Sequence, residues 1–141
     1  MILLDTDHMS ILEWGNDTSS SILRTKLATT DDADIATTIV SYEEQMRGWM
    51  AVLSKSRTVD AQVNAYRRLA DHLENYRLIP VRHFDQRSAE IFTKLRRDRI
   101  RIGTMDLRIA SIVIANDALL LTRNTSDFDQ VPGLRFENWT A

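Results

Sequence analysis

Four acidic residues stand where a chain could use them for chemistry. Asp5 directly follows the apolar run Ile2, Leu3, Leu4; Glu44 lies early in an amphipathic segment; Asp106 opens a strongly apolar one; Asp127 follows the run ALLLT at 118–122. Two carboxylates about 4 Å apart repel by roughly 4 kcal/mol at an effective dielectric near 20. Four brought together must therefore hold protons or bind a cation. A hard divalent ion answers the need, because Mg2+ takes oxygen ligands, keeps several waters and accepts a substrate phosphate beside a few carboxylates. Such an ion can acidify a bound water, orient it in line with a phosphodiester and stabilise the charge that builds there. Each acid also has a plain structural role: Asp5 and Asp127 as turn residues, Asp106 as an anion at a helix N-terminus, and Glu44 as capping-box partner of Ser41. What separates the two readings is whether the elements bring the acids to one place.

Residues 2–4 read as an opening strand and residues 11–14 as a short helix. Gly15 and Asn16 end that helix, and Asp17 or Thr18 caps a second one through Leu27. The β-branched stretch at 34–40 reads as a second strand. Ser41 and Glu44 have the S-x-x-E form of a capping box, opening a helix whose apolar face is Tyr42, Met46, Trp49, Met50 and Leu53. After a turn at 55–58, Val59, Val63, Tyr66, Leu69 and Leu73 mark the inward face of another helix, so residues 41–76 form a helical hairpin. Residues 78–81 read as a third strand. Asp85 caps a helix with Ala89, Ile91, Phe92 and Leu95 inward, and residues 106–115 are apolar nearly all round, as in a buried helix. The ALLLT strand, a polar turn RNTSDFD and an extended piece at 134–136 close the chain. This order implies an α/β fold: a three-layer α/β/α arrangement around a parallel sheet of four to five strands. Parallel strands present their C-terminal ends on one edge, where Asp5, Glu44 and Asp127 should meet, with Asp106 beside them.

The 141 residues suit a single domain spanning 1–141. The composition is that of an ordinary soluble chain, with four Gly and two Pro and neither repeats nor linkers. The absence of Cys rules out a disulfide framework and a thiolate metal site and agrees with a reducing cytoplasm. No signal peptide and no stretch of ~20 apolar residues is present, so a soluble cytoplasmic protein with no membrane role is expected. A net charge of −2 does not mark a general nucleic-acid binder. Lys94, Arg96, Arg97, Arg99, Arg101 and Arg108 nevertheless crowd one region, and such a patch can follow a phosphate backbone. Its plainer reading is a solvated face with cations near a helix C-terminus.

Four segments, LLDTDHMS, TTIVSYEEQMRG, RIGTMDLRIASIVIAND and LLLTRNTSDF, in that order and spacing, resemble the PIN-domain ribonucleases, and among them the VapC-type toxins of type II toxin–antitoxin pairs. The resemblance runs nearly end to end. It implies that Asp5, Glu44, Asp106 and Asp127 are the catalytic acids, with Asp5 and Asp106 the direct metal ligands and Glu44 and Asp127 completing the site. Thr122, Asn124 and Asp7 would support them. It further implies Mg2+- or Mn2+-dependent cleavage of RNA, neutralisation by a cognate antitoxin protein, and a homodimer. Residues 94, 96, 97, 99 and 101 would then hold the RNA backbone.

Some assignments compete. Periodicity places Glu43 beside the apolar face of its helix and Glu44 away from it, so Glu44 is preferred only by its spacing to Gly48. Asp129 competes with Asp127. His8 reads as a packing or capping residue, and Trp14, Trp49 and Trp139 as core or interface residues. Two other functions share the opening. LLDTD also resembles the start of haloacid-dehalogenase-type phosphatases, with Asp5 as nucleophile, although the late strand here ends in TRN and not in an acidic pair. A non-catalytic PIN-like module that binds RNA or protein would be expected to have lost part of the acidic set.

Overall fold

The computed structural model describes residues 1–141. Five short strands, β1 (Ile2–Leu4), β2 (Ile35–Thr38), β3 (Val81–Arg82), β4 (Leu119–Leu121) and β5 (Arg135–Glu137), pair in parallel in the order β3-β2-β1-β4-β5. The helices are α1 (Thr6–Trp14), α2 (Thr18–Ala28), α3 (Ile39–Lys55), α4 (Val59–Arg77), α5 (Gln86–Arg97), α6 (Thr104–Ala115) and the single turn α7 (Thr125–Phe128). The chain thus has the three-layer parallel α/β/α fold expected from its sequence.

Because neighbouring residues of a strand point to opposite faces, the central strands feed two separate cores. Leu3, Ala36 and Leu120 join Leu95, Phe128 and the apolar residues of α6 on one side. Leu4 and Leu121 join Met9, Leu23, Leu27 and Tyr76 on the other. Leu3, Leu4, Leu120 and Leu121 are wholly buried. Each burial is worth roughly 1.5–3 kcal/mol, which is how three-residue strands with few hydrogen bonds hold their register.

Several boundaries differ from the sequence reading, each for a local reason. The first helix starts at Thr6 and not at residue 11, because Asp5 is its N-cap and accepts the Thr6 N–H at 2.8 Å. The second strand ends at Thr38. That residue caps α3, its hydroxyl accepting the Ser41 N–H at 3.1 Å, so Ser41 is inside the helix and Glu44 is no capping-box partner. Leu78 closes α4 as its C-cap, which moves β3 on to Val81–Arg82. The RNTSDFD turn contains α7.

The hairpin extends over α3 and α4, but the face of α4 is reversed from the expectation. Val59, Val63, Tyr66 and Leu73 point outward, and Met50 on α3 is exposed as well. Ala65, His72 and Tyr76 are the buried residues. The packing that wins is an aromatic cluster: Tyr42 of α3 stacks on His72 with ring centroids 5.3 Å apart and meets Tyr76 edge-on at 5.0 Å. Tyr76 also donates its hydroxyl to Gln45. No helix is long and apolar enough to cross a membrane.

Candidate metal centre

The sheet order places β1 at a switch point, since the chain leaves β1 toward β2 and β3 and later crosses to β4 on the other flank. Ligand sites of such sheets lie beyond the C-terminal ends of the strands at that crevice. Leu4 pairs with Leu121, and the chain continues into Asp5 on one strand and Thr122 on the other. The Asp5 N–H donates to Leu121 O at 2.9 Å. The two side chains then meet: the buried Thr122 hydroxyl donates to Asp5 Oδ2 at 2.7 Å.

From Thr122 the order spreads through the next turn. Its hydroxyl accepts the Asn124 N–H at 3.0 Å. The Asn124 side-chain amide then donates to Asp106 Oδ2 at 3.2 Å and to Asp127 Oδ2 at 3.0 Å, setting these two carboxylates side by side. Asp7 faces the same turn, its Oδ2 accepting the Arg123 N–H at 2.9 Å. Asp129 has no such link and is exposed at the end of α7. Glu43 forms an outward ion pair with Arg47 at 2.6 Å. Glu44 instead faces the acids, and its Oε1 is buried without a hydrogen-bond partner.

The electrostatics follow from this crowding. Burial, then Asp7 and more weakly Asp106, push the Asp5 carboxyl up to about 7, against the opposing hydrogen bonds of Thr122 and Thr6. Glu44 is raised by burial and by Asp106, and Asp106 by burial and by Asp127. The acids line the edge without closing on a single point, and no three acidic or histidine side chains form a ready-made cage. The donor set nonetheless suits a hard divalent ion. It offers only carboxylate and amide oxygens, one of them is an orphaned buried Glu44 oxygen, and three of the acids carry a penalty that a cation would relieve.

The basic residues divide over two surfaces. Arg96 lies over the Phe92 ring at 5.5 Å, as does Arg108 at 5.6 Å, while Lys94 and Arg97 flank a shallow hollow shared with Glu90. Arg99 and Arg101 are exposed on the loop leading to α6. Trp14 and Trp49 meet edge-on at 5.7 Å, with Arg68 over Trp14.

No family model matches the chain. Ribonuclease VapC2 of Rickettsia felis is 44% identical over 50 residues, a stretch that covers 36% of this chain and 37% of that relative. Among solved structures, VapBC2 from Rickettsia felis, bound to a DNA fragment from its promoter, aligns over 99% of both chains at 26% identity and a TM-score of 0.72. Over nearly its whole length the chain is thus similar to a VapC-type toxin–antitoxin structure. FitAcB from Neisseria gonorrhoeae and VapBC-1 from nontypeable Haemophilus influenzae share the fold at TM-scores of 0.72 and 0.70. They are each 19% identical and cover 98% or more of both chains.

Two features of the chain went beyond the sequence reading. His8 is fully buried, as a packing residue would be, but it also engages Asp7, for which its position directly after Asp7 was the one available signal. Glu13, on α1 away from the acid group, has both carboxylate oxygens buried without a partner and a carboxyl pushed up to about 7. Nothing in its surroundings in the sequence pointed to that.

Proposed function

We propose that this chain is a divalent-metal-dependent endoribonuclease and the toxin of a toxin–antitoxin pair. The observation that carries the reading is the group of acids at the switch point, three of them pushed toward protonation by burial and by one another. The likeness to Ribonuclease VapC2 and to the VapBC complexes supports it. Asp5 and Asp106 would hold Mg2+ or Mn2+, with Glu44 and Asp127 completing the site. Once bound, the ion supplies an acidified water and Lewis-acid stabilisation of the phosphate.

The chain's own residues do the rest. Thr122 fixes the Asp5 carboxylate, and Asn124 fixes Asp106 against Asp127. Glu44, raised by its surroundings, is suited to take a proton from the attacking water and return it to the leaving oxygen. Lys94, Arg96, Arg97, Arg99 and Arg101 would engage the RNA backbone, with Arg101 five residues before Asp106. The partners of this reading are an RNA substrate, an antitoxin protein and a second copy of the chain in a homodimer that acts in the cytoplasm.

The test is cleavage of candidate RNAs by purified protein freed of any antitoxin, in Mg2+ or Mn2+, beside Asp5→Asn and Asp106→Asn. Cutting by the wild type and its loss in both variants is expected. Equal cutting by all three proteins, or none by the wild type, refutes the reading.

A further inference from the structure

His8 sits in the first turns of α1, with no exposed surface, and uses both ring nitrogens. Nε2 accepts the backbone N–H of Trp139 at 3.1 Å. An amide N–H can only donate, so Nε2 carries no proton and the ring proton sits on Nδ1. Nδ1 lies 2.7 Å from Asp7 Oδ1 and donates to it. With Oδ1 so engaged, Asp7 turns Oδ2 to the Arg123 N–H at 2.9 Å, with the Thr122 hydroxyl at 3.4 Å. That hydroxyl gives its single proton to the nearer Asp5 oxygen at 2.7 Å.

The far end of this chain of contacts is also built. Asn138 Oδ1 accepts both the backbone N–H of Thr140 at 2.9 Å and its hydroxyl at 2.6 Å, and Thr140 is buried. The segment 138–140 is thereby shaped to present the Trp139 N–H inward. A residue at one end of the sequence and a main-chain donor at the other fix each other, and the acid turn lies next in line.

We propose that His8 is a positioning residue that ties the acid site to the C-terminal segment. Docking of Trp139 sets the imidazole tautomer, the tautomer orients Asp7, and Asp7 holds the 122–124 turn that places Asp5, Asp106 and Asp127. Its consequence for metal affinity rests on the metal reading above; its consequence for the turn does not. A partner that lifted residues 138–140 would slacken the acid site without touching it.

Two substitutions separate the halves of the relay. His8→Asn keeps a donor near the Nδ1 position and loses the acceptor for Trp139, whereas His8→Gln keeps an acceptor near Nε2 and loses the donor to Asp7. Nitrogen-15 NMR of the metal-free wild type should show His8 as the Nδ1–H tautomer. In His8→Asn the Arg123 amide should stay protected from hydrogen exchange while that of Trp139 becomes labile; His8→Gln should show the reverse. In Mn2+ titrations His8→Gln should bind at least about tenfold more weakly, the usual scale for losing a group that orients a ligand, and His8→Asn close to the wild type. An Nε2–H tautomer, or equal Arg123 protection in the two variants, overturns the relay even if neither variant folds well enough for titration. A wild type that takes up no Mn2+ while the exchange pattern appears as expected overturns the metal reading and leaves the relay standing.

Discussion

Asp5→Asn should stabilise the metal-free protein, and by an amount that grows with pH. Asp5 is 5% exposed and its carboxyl is raised from 3.8 to about 7, so the folded protein prefers it protonated where the unfolded chain ionises it. The folded state then binds more protons than the unfolded state, and stability falls as pH rises. At 1.36 kcal/mol per pH unit of displacement, the cost grows from about 0.5 kcal/mol at pH 4 to roughly 4 kcal/mol at pH 8, where it levels off above the folded value. Asparagine avoids this cost: its side-chain oxygen can still accept the Thr6 N–H, and its NH2, standing where Oδ2 stood, can donate to the Thr122 hydroxyl. At ~2–4 °C per kcal/mol for a chain of this size, the variant should melt about 10 °C above wild type at pH 8 and within ~2 °C at pH 4. Circular dichroism melts in EDTA across this range measure the difference. Adding Mn2+ at pH 8 should raise the wild type and leave Asp5→Asn nearly unmoved. A wild type whose stability rises with pH, or a variant no more stable at pH 8 than at pH 4 relative to it, would refute the reasoning.

Three further outcomes follow from other parts of the molecule. Glu13→Gln should remove a second loss of stability as pH rises toward and through about 7, because Glu13 too is raised by burial; pH-dependent melts of an Asp5→Asn background isolate its share. Gly15→Ala should destabilise by about 1–3 kcal/mol in urea denaturation, since a Cβ there would meet Ile11 O at 2.5 Å and Ser20 Cβ at 2.8 Å. An unchanged midpoint would show that the α1–α2 corner can relax. Neutralising Arg96, Arg97 and Arg99 should lower the salt slope of single-stranded RNA binding by about 0.7 for each phosphate that is no longer neutralised. An unaltered slope would place the RNA path elsewhere.

The sheet and the places of the acids were legible because both depend on local pattern. Short apolar runs at Ile2–Leu4 and Leu119–Leu121, each followed at once by polar residues, read as buried strands, and in a parallel sheet the residues that follow them leave at the same edge. What was not legible depends on a choice between two faces that the chain alone does not make. Helix α4 carries a tidy apolar stripe in Val59, Val63, Tyr66 and Leu73, yet it packs through Ala65, His72 and Tyr76, because Tyr42 and Gln45 on α3 offer them a stack and a hydrogen bond. The capping-box reading of Ser41 failed for a related reason. Thr38 three residues earlier is an equally good cap, and the strand could end on it without losing its pairing with β3. Glu43 and Glu44 were separated only by contacts that periodicity does not describe: an exposed Arg47 for one, the acid group for the other.

The fold itself limits how much negative charge this edge can carry unaided. Three of the helices that begin at it carry acids there, with Asp5 and Asp7 at the start of α1, Asp106 in the first turn of α6 and Asp127 in that of α7. A helix N-terminus favours an anion by typically 0.3–1 kcal/mol, so three of them offer roughly 3 kcal/mol at most, spread over several carboxylates. The penalty on Asp5 alone approaches roughly 4 kcal/mol at pH 8, and Glu44, which lies beyond the first turn of its own helix, is still raised although it faces Thr6 at the start of α1. Helix dipoles and the hydrogen bonds of Thr122 and Asn124 therefore orient the acids but do not neutralise them. The shortfall must be met by protons or by a cation, and the two differ in sign. Proton uptake makes the protein more stable as pH falls, whereas a bound divalent ion stabilises it most where the acids are ionised, at high pH. Melting wild type with and without Mn2+ at both ends of the range thus asks the edge which of the two it is built to hold.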